Sequence, residues 1–197
     1  ATCIAATPIS TLLASRLGAV DQPGAIKIHS CVMPRLGGVA IFSGSIIGLL
    51  VGLRSGGQLV ASALPLMVGS TIIAGVGVAD DLFSIKPVTK ILGGLTAAAG
   101  YSVARCIIGN TPCGQLATVM IAVSVLTIGL SNSFNLLDGM DGLLAGITAI
   151  VAIGGCILSA RLGMSMWRVA FASCFGSCVA FLLFNFPPAA IFMGDCG

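Results

Sequence analysis

The sequence predicts an all-α fold, a polytopic bundle of membrane-spanning helices, and three observations support this class. The 197 residues are 57% hydrophobic and only 8% charged, whereas about 25% of the residues of a soluble domain are charged. The mean hydropathy is +1.12, and the apolar residues fall into runs near the roughly 20 residues that a helix needs to cross a bilayer. Because lipid offers no partners to backbone N–H and C=O groups, such runs must be helical. We expect one integral membrane domain over residues 1–197.

Seven apolar runs are candidate membrane spans. In chain order they cover residues 1–17, 37–53, 59–79, 88–105, 116–131, 142–160 and 168–186. The fourth is the weakest, because Lys90 and Arg105 shorten its uncharged core. In the second, Gly44, Gly48 and Gly52 are spaced to line one face of a helix, which permits the close approach of another helix. The chain starts with Ala and stops at MGDCG, so we expect a fragment that is incomplete at both ends.

The rare acidic residues are all aspartates, and spans that alternate in direction place all six on the same side of the membrane. They are Asp21, Asp80, Asp81, Asp138, Asp141 and Asp195. The only histidine, His29, falls on the same side, as do Lys27, Arg35, Lys86 and Lys90. This asymmetry predicts a functional polar face. Basic residues divide five against four between the sides, which is too even for the positive-inside rule to orient the chain.

Composition also limits the function classes. A net charge of +3 without any Lys/Arg cluster argues against nucleic acid as a partner. The eight cysteines include no CxxC pair, and several lie in apolar runs, so we expect small core residues rather than a disulfide framework. A metal role for Cys174 and Cys178, four residues apart, is a weak alternative.

The polar face has the residue types of a phosphoryl-transfer site. Asp80 and Asp81 end the third span, and Asp138 and Asp141 begin the sixth. Carboxylate oxygens at helix ends open to water suit Mg²⁺, which proteins hold through one or two carboxylates together with substrate phosphates. Nearby cations would neutralise the charge that develops during transfer. Any single aspartate at a span end is as readily explained as a solvated helix cap.

Four sequence blocks carry a resemblance to a known family. They are DQPGAIKIHSCVMPRLGGVAIF at 21–42, DDLFSIKPVTK at 80–90, NSFNLLDGMDGL at 132–143 and FNFPPAAIFMGDCG at 184–197. Together they resemble the polyprenyl-phosphate N-acetylhexosamine-1-phosphate transferases, bacterial membrane enzymes related to phospho-MurNAc-pentapeptide translocase. The PRLGG stretch is similar to the hexosamine branch of the family.

The resemblance implies a reaction and its partners. A UDP-N-acetylhexosamine would pass its sugar 1-phosphate to a polyprenyl phosphate such as undecaprenyl phosphate, giving polyprenyl-diphosphate-sugar and UMP for cell-envelope polysaccharide synthesis. Mg²⁺ is the implied cofactor, with Mn²⁺ as an alternative. The enzyme would lie in the bacterial inner membrane with its active site facing the cytoplasm, and a homodimer is compatible with this assignment.

The resemblance also implies roles for individual residues. Those matched to catalysis are Asp80, Asp81, Asp138 and Asp141, and the paired aspartates are expected to handle the lipid phosphate or its deprotonation. Those matched to substrate binding are Lys27, His29, Arg35, Lys90, Asn132, Asn135 and Asn185. Asp195, in the MGDCG stretch, resembles a direct Mg²⁺ ligand, with Asp80 as its partner.

Other interpretations remain open at the level of sequence. Intramembrane carboxylates also mark ion pathways, so an ion-coupled transporter is one alternative. A second is an inactive paralogue that keeps the fold, because Ala190 and Ile26 stand where many family members have a basic residue. The family pattern also continues beyond MGDxG into further spans and a His-rich loop.

Overall fold

The computed structural model describes residues 1–22, 32–57, 60–109 and 112–197, and these residues form a helical protein. The α-helices are α1 (Thr2–Leu17), α2 (Gly37–Ser55), α3 (Leu64–Phe83), α4 (Pro87–Ile107), α5 (Leu116–Leu137), α6 (Leu143–Arg161) and α7 (Ser165–Asn185). Short 3₁₀ helices at Val60–Ala63 and Cys113–Gln115 precede α3 and α5. Strands β1 (Val20–Asp21) and β2 (Met33–Pro34) pair antiparallel between α1 and α2.

Within the described ranges, five helices are long and apolar enough to cross a membrane, which makes this a multi-pass membrane protein. They cover Gly37–Ser55, Val60–Phe83, Leu116–Asn135, Leu143–Arg161 and Ser165–Asn185. The α1 helix has only 16 residues, and α4 includes Lys90 and Arg105. The all-α class is confirmed, and the predicted count of seven spans is confirmed for five helices.

Two helices run further than the sequence indicated. The third predicted span ends at residue 79, but α3 continues to Phe83 and includes Asp80 and Asp81 in its last turn. The fifth predicted span ends at residue 131, but α5 continues to Leu137. Asn132 and Asn135 therefore lie on a helix rather than in a connecting loop. No Pro or Gly lies between Gly129 and Gly139, so polar residues alone did not mark the end of α5.

The predicted glycine face of α2 packs against α7. A Cβ atom on Gly48 would lie 2.9 Å from the Cβ of Ser173, and a Cβ atom on Gly52 would lie 2.5 Å from Cγ1 of Val169. Gly44 faces the same helix one turn earlier, at Ser177. The two backbones therefore approach more closely than larger side chains would permit. The prediction of a close helix contact along this face is confirmed.

The helices divide into two groups. In the first, α1 and α7 pack on α2, and α6 packs on α7; in the second, α4 packs between α3 and α5. Contacts between the groups are sparser, and the main ones join α2 to α3 and α5 to α6. The segment 186–197 connects the groups at one end, because the N–H groups of Gly37 and Gly38 donate to the carbonyls of Phe192 (3.0 Å) and Met193 (2.7 Å). A groove lies between the two groups.

Candidate active site

Polar residues from separate parts of the chain meet where the two helix groups converge. Asp80 and Asp81 lie in the last turn of α3, Lys90 in the first turn of α4 and Asn135 near the end of α5. Asp195 belongs to the segment 186–197 and bonds to three of these residues. The predicted convergence of these aspartates at one end of the helices is thus observed.

Lys90 lies between two carboxylates. Its Nζ atom is 2.6 Å from Oδ2 of Asp80 and also donates to Oδ2 of Asp195. The other oxygen of Asp80 accepts the backbone N–H of Ile85 at 2.9 Å. The amide of Asn135 donates to Oδ2 of Asp195 at 3.4 Å. We call Asp80, Lys90 and Asp195 the ion cluster; all three are partly exposed to solvent.

Asp81 has different partners from its neighbour Asp80. Its Oδ1 accepts the backbone N–H of Asp195 at 2.9 Å, and its Oδ2 accepts the backbone N–H of Cys196 at 3.1 Å. Both oxygens are therefore engaged by consecutive backbone amides of the segment 186–197. This geometry fixes the backbone beside the ion cluster.

The pKa values of Asp138 and Asp195 are raised. At Asp138, burial by surrounding protein atoms is the main cause; together with the charges of Asp195 and Asp81, and against the opposing effect of Arg35, it raises the pKa to about 6. Burial and then the hydrogen bond with Asp80 raise the pKa of Asp195, whereas Lys90 lowers it. Each carboxylate thus holds a proton more readily than a free aspartate does.

Two cavities meet at the ion cluster. An elongated groove of about 440 Å³ runs between the helix groups, and a polar pocket of about 330 Å³ lies beyond it. Asp80, Lys90, Asn135 and Asp195 line both cavities. Arg35 lines only the polar pocket, where it also lies 3.7 Å from Asp21. A molecule in the groove and a molecule in the pocket would therefore both reach these four side chains.

The charged side chains that line the groove lie at this end. Away from the ion cluster its walls are mainly apolar side chains of α2, α3, α4 and α5, including Ile41, Phe42, Ile73, Val76, Ile91 and Ile128, and the hydroxyl groups there belong to Ser45, Ser70 and Thr127. These residues carry no distinguishing pattern in the sequence, because an apolar side chain in a span is of the same type whether it faces lipid, another helix or a cavity. A usable signal was the glycine content, since Gly38, Gly77 and Gly94 also line the groove.

The other predicted site residues fall into three sets. Asn132 and Asp138 line the groove together with Asn135. Lys27 and His29 lie outside the described residues. Asp141 and Asn185 line neither cavity.

Asp141 and Asn185 bond to backbone groups of neighbouring loops. Asn185 is 6% exposed; its amide oxygen accepts the N–H of Gly142 at 3.0 Å, and its amide nitrogen donates to the carbonyl of Ile191 at 2.8 Å. Asp141 accepts the N–H of Ala189 at 3.1 Å. Both ends of the Asn185 amide are engaged by backbone groups, and the substrate-binding role that the resemblance implies for it stays a prediction. Asp141 is exposed, and its bond to Ala189 links the turn before α6 to the segment 186–197.

The donor set fits the metal that the resemblance implies. The Lys90 ammonium lies between the carboxylates of Asp80 and Asp195, so these two groups already share one cation. Among the residues that the structure describes, no three His, Cys, Asp or Glu side chains are grouped to hold a metal ion by themselves, Cys174 and Cys178 included. Mg²⁺ usually takes one or two carboxylates and completes its shell with water and substrate phosphates. Asp195 and Asp80 are the residues that would hold it.

Comparisons with known proteins agree on one family. The sequence model of glycosyl transferase family 4 matches residues 63–197. A probable undecaprenyl-phosphate N-acetylglucosaminyl 1-phosphate transferase of Bacillus subtilis (strain 168) is 35% identical, over 100% of this chain and 56% of the relative. A decaprenyl-phosphate N-acetylglucosaminephosphotransferase of Mycobacterium leprae (strain TN) is 32% identical, over 98% of this chain and 54% of the relative. A phospho-N-acetylmuramoyl-pentapeptide-transferase of the same organism is 32% identical, over 83% of this chain and 59% of the relative. The chain spans little more than half the length of these curated relatives.

Proposed function

The chain belongs to glycosyl transferase family 4, and from this premise we propose that the protein transfers N-acetylhexosamine 1-phosphate from a UDP-sugar to a polyprenyl phosphate. The products are polyprenyl-diphosphate-sugar and UMP. The names of relatives at 32% and 35% identity over most of the chain support this reaction. In the net change one phosphoanhydride bond forms, between the lipid phosphate and the sugar phosphate. The phosphoanhydride bond to UMP breaks, and its electron pair leaves with UMP.

The observation that carries this proposal is the junction of the two cavities at the ion cluster. A polyprenyl phosphate has a long apolar chain and an anionic head, and the groove has apolar walls with Lys90 at one end. A nucleotide-sugar is polar throughout, and the second cavity is lined mainly by polar and charged side chains, Arg35 among them. The two phosphates that must react would therefore meet beside Asp80, Lys90 and Asp195.

The side chains at the junction suit phosphoryl transfer. Lys90 can leave its carboxylate partners and neutralise a phosphate oxygen, which is the kind of positioning and charge compensation that this chemistry requires. Asn135 offers a neutral donor beside it. Mg²⁺ bound by Asp195 and Asp80 would supply additional positive charge to the diphosphate.

We assign the junction to the cytoplasmic side of the bacterial inner membrane, because UDP-sugars are made in the cytoplasm. All seven helices would then cross the bilayer in the full protein, with α1 and α4 stabilised by their neighbours. An ion-coupled transporter is less well supported, because transporter sites lie near the bilayer midplane and the aspartates here lie at helix ends. An inactive paralogue would keep the cavities and fail the assay below.

The test is UMP release by the full-length protein in detergent with UDP-N-acetylglucosamine, undecaprenyl phosphate and Mg²⁺. We expect UMP only when both substrates are present. Ile73→Trp, in the groove wall, should raise the KM for the lipid about tenfold and leave the KM for the UDP-sugar within twofold, because it fills space that the lipid chain needs. Ile150→Trp, on the exposed face of α6, is the matched control and should change neither KM. No UMP from the wild type with any UDP-N-acetylhexosamine would contradict the proposal.

A further inference from the structure

Asp81 lines the polar pocket beside the ion cluster, but both of its carboxylate oxygens bond to the backbone of the segment 186–197. Its two oxygens accept the N–H groups of Asp195 and Cys196, at 2.9 and 3.1 Å. Adjacent residues on an α-helix point about 100° apart, so Asp80 faces Lys90 while Asp81 faces the segment. A carboxylate that accepts two backbone N–H groups is in a charge-assisted arrangement that holds both groups in place.

Glycines on both sides show how tightly the segment fits against α3. Gly77 lies one helical turn before Asp81, and a Cβ atom there would collide with the backbone carbonyl of Asp195. Gly194 has a φ of +74°, and a Cβ atom there would collide with the carbonyl of Arg35 and lie 2.7 Å from Oδ2 of Asp81. The Asp81 contact therefore depends on two glycines, one on each partner.

The opposite side of the segment is also fixed. The first N–H groups of α2, from Gly37 and Gly38, donate to the carbonyls of Phe192 and Met193. The backbone at 192–196 is thus held between the first turn of α2 and the last turn of α3. Asp195 is the residue at which this backbone meets the ion cluster.

We propose that Asp81 is a positioning residue that sets the orientation of Asp195 through the backbone of residues 194–196, and not a base or ligand that contacts the substrate phosphates. This inference rests on the proposed function for its catalytic consequence, while the contact itself can be tested without turnover. Asp80, the neighbouring aspartate, keeps the direct role. The paired aspartates at the end of α3 therefore act on two different surfaces.

The first test is amide hydrogen exchange in the full-length protein. Asp81→Asn retains the size of the side chain but presents an NH₂ group to one of the two backbone donors, so exchange at Asp195 and Cys196 should become about tenfold faster or more. Asp80→Asn is the matched control, and exchange at those two amides should stay within twofold of wild type. In the wild type both amides should be protected from exchange, and this result does not depend on whether any variant folds. Unprotected wild-type amides would overturn the proposal. Unchanged exchange in Asp81→Asn would overturn it too.

The second test separates positioning from base catalysis. With UDP-N-acetylglucosamine and undecaprenyl phosphate, Asp81→Asn should raise the half-saturating Mg²⁺ concentration at least fivefold and keep the acidic limb of the pH–rate profile. A flattened acidic limb with an unchanged Mg²⁺ dependence would identify Asp81 as a base and overturn the proposal. If the wild type releases no UMP, the proposed function fails, and the exchange measurement still decides whether Asp81 holds the segment.

Discussion

Polar side chains at this end of the molecule form two regions that differ in what they bind. In the ion cluster, Asp80, Lys90 and Asp195 bond mainly to one another's side chains. The backbone clamps, which we define as Asp81, Asp141 and Asn185, bond to main-chain groups of the segment 186–197. Side chains paired with side chains can exchange those partners for a phosphate or a metal. Side chains paired with backbone instead keep loops in place, so residues of the same type contribute differently.

The largest effect should come from removing a carboxylate of the ion cluster. Asp195→Asn should lower kcat/KM for UMP formation by about 10³-fold, because electrostatic groups at a transferring phosphate contribute on that order. The melting temperature in detergent should change little, since Asp195 is near the cavities rather than in the core. Activity of Asp195→Asn within tenfold of wild type would contradict the claim that the ion cluster, unlike the backbone clamps, acts directly in the reaction.

A somewhat smaller loss should follow from removing the cation of the cluster. Lys90→Gln should lower kcat/KM by about 10²-fold, because one charge-assisted contact to phosphate is lost. Lys86→Gln is the matched control: Lys86 directly precedes α4, is exposed, and lines neither cavity. Steady-state kinetics should show less than a twofold change for Lys86→Gln. Equal losses in the two variants would mean that general surface charge, rather than the position of Lys90, accounts for the effect.

A backbone clamp should show the opposite pattern. Asn185→Ala leaves the N–H of Gly142 and the carbonyl of Ile191 without their partner, which should cost about 2 kcal/mol of stability. Thermal unfolding should therefore occur several degrees lower, while kcat/KM in the folded fraction falls less than tenfold. Gln115→Ala, an exposed residue that makes no side-chain cap at α5, should change neither property. A large loss of activity without a change in melting temperature would show that Asn185 acts in the reaction, as the ion cluster does, rather than in stability.

The smallest effect concerns the pH dependence of stability at Asp138, which lines the groove. Its pKa is raised to about 6, so the folded protein holds this proton more tightly than the unfolded chain does. Its contribution to stability is present below the ordinary aspartate pKa near 4 and is lost as the pH rises through about 6. Asp138→Asn should therefore melt above the wild type at pH 7.5 in EDTA and converge with it toward pH 4. A constant difference across this range would contradict the assignment.

The sequence was sufficient to predict the helical membrane fold and the convergence of Asp80, Asp81 and Asp195 at one end of the helices. Both follow from regular quantities, the lengths of apolar runs and the alternation of spans. The glycine face of α2 was predictable for the same reason, because Gly44, Gly48 and Gly52 repeat at the helical period.

The hydrogen-bond partners of the individual polar residues were not predictable from the sequence. Asp80 and Asp81 are identical residues side by side, and only the path of the segment 186–197 gives them different partners. The motif around Asn185 indicates a site residue. Its partners, Gly142 and Ile191, are set by the packing of the turn before α6 against the segment 186–197. These contacts join positions far apart in the chain, which periodicity does not report.

The most direct test of the central claim is a cryo-electron microscopy structure of the full-length protein with bound polyprenyl phosphate. We predict that the lipid phosphate lies within about 3 Å of Lys90 Nζ and that its chain follows the groove between the two helix groups. A phosphate bound at another helix end, or a chain lying on the outer face of α6, would contradict the claim that the two substrates meet at the ion cluster.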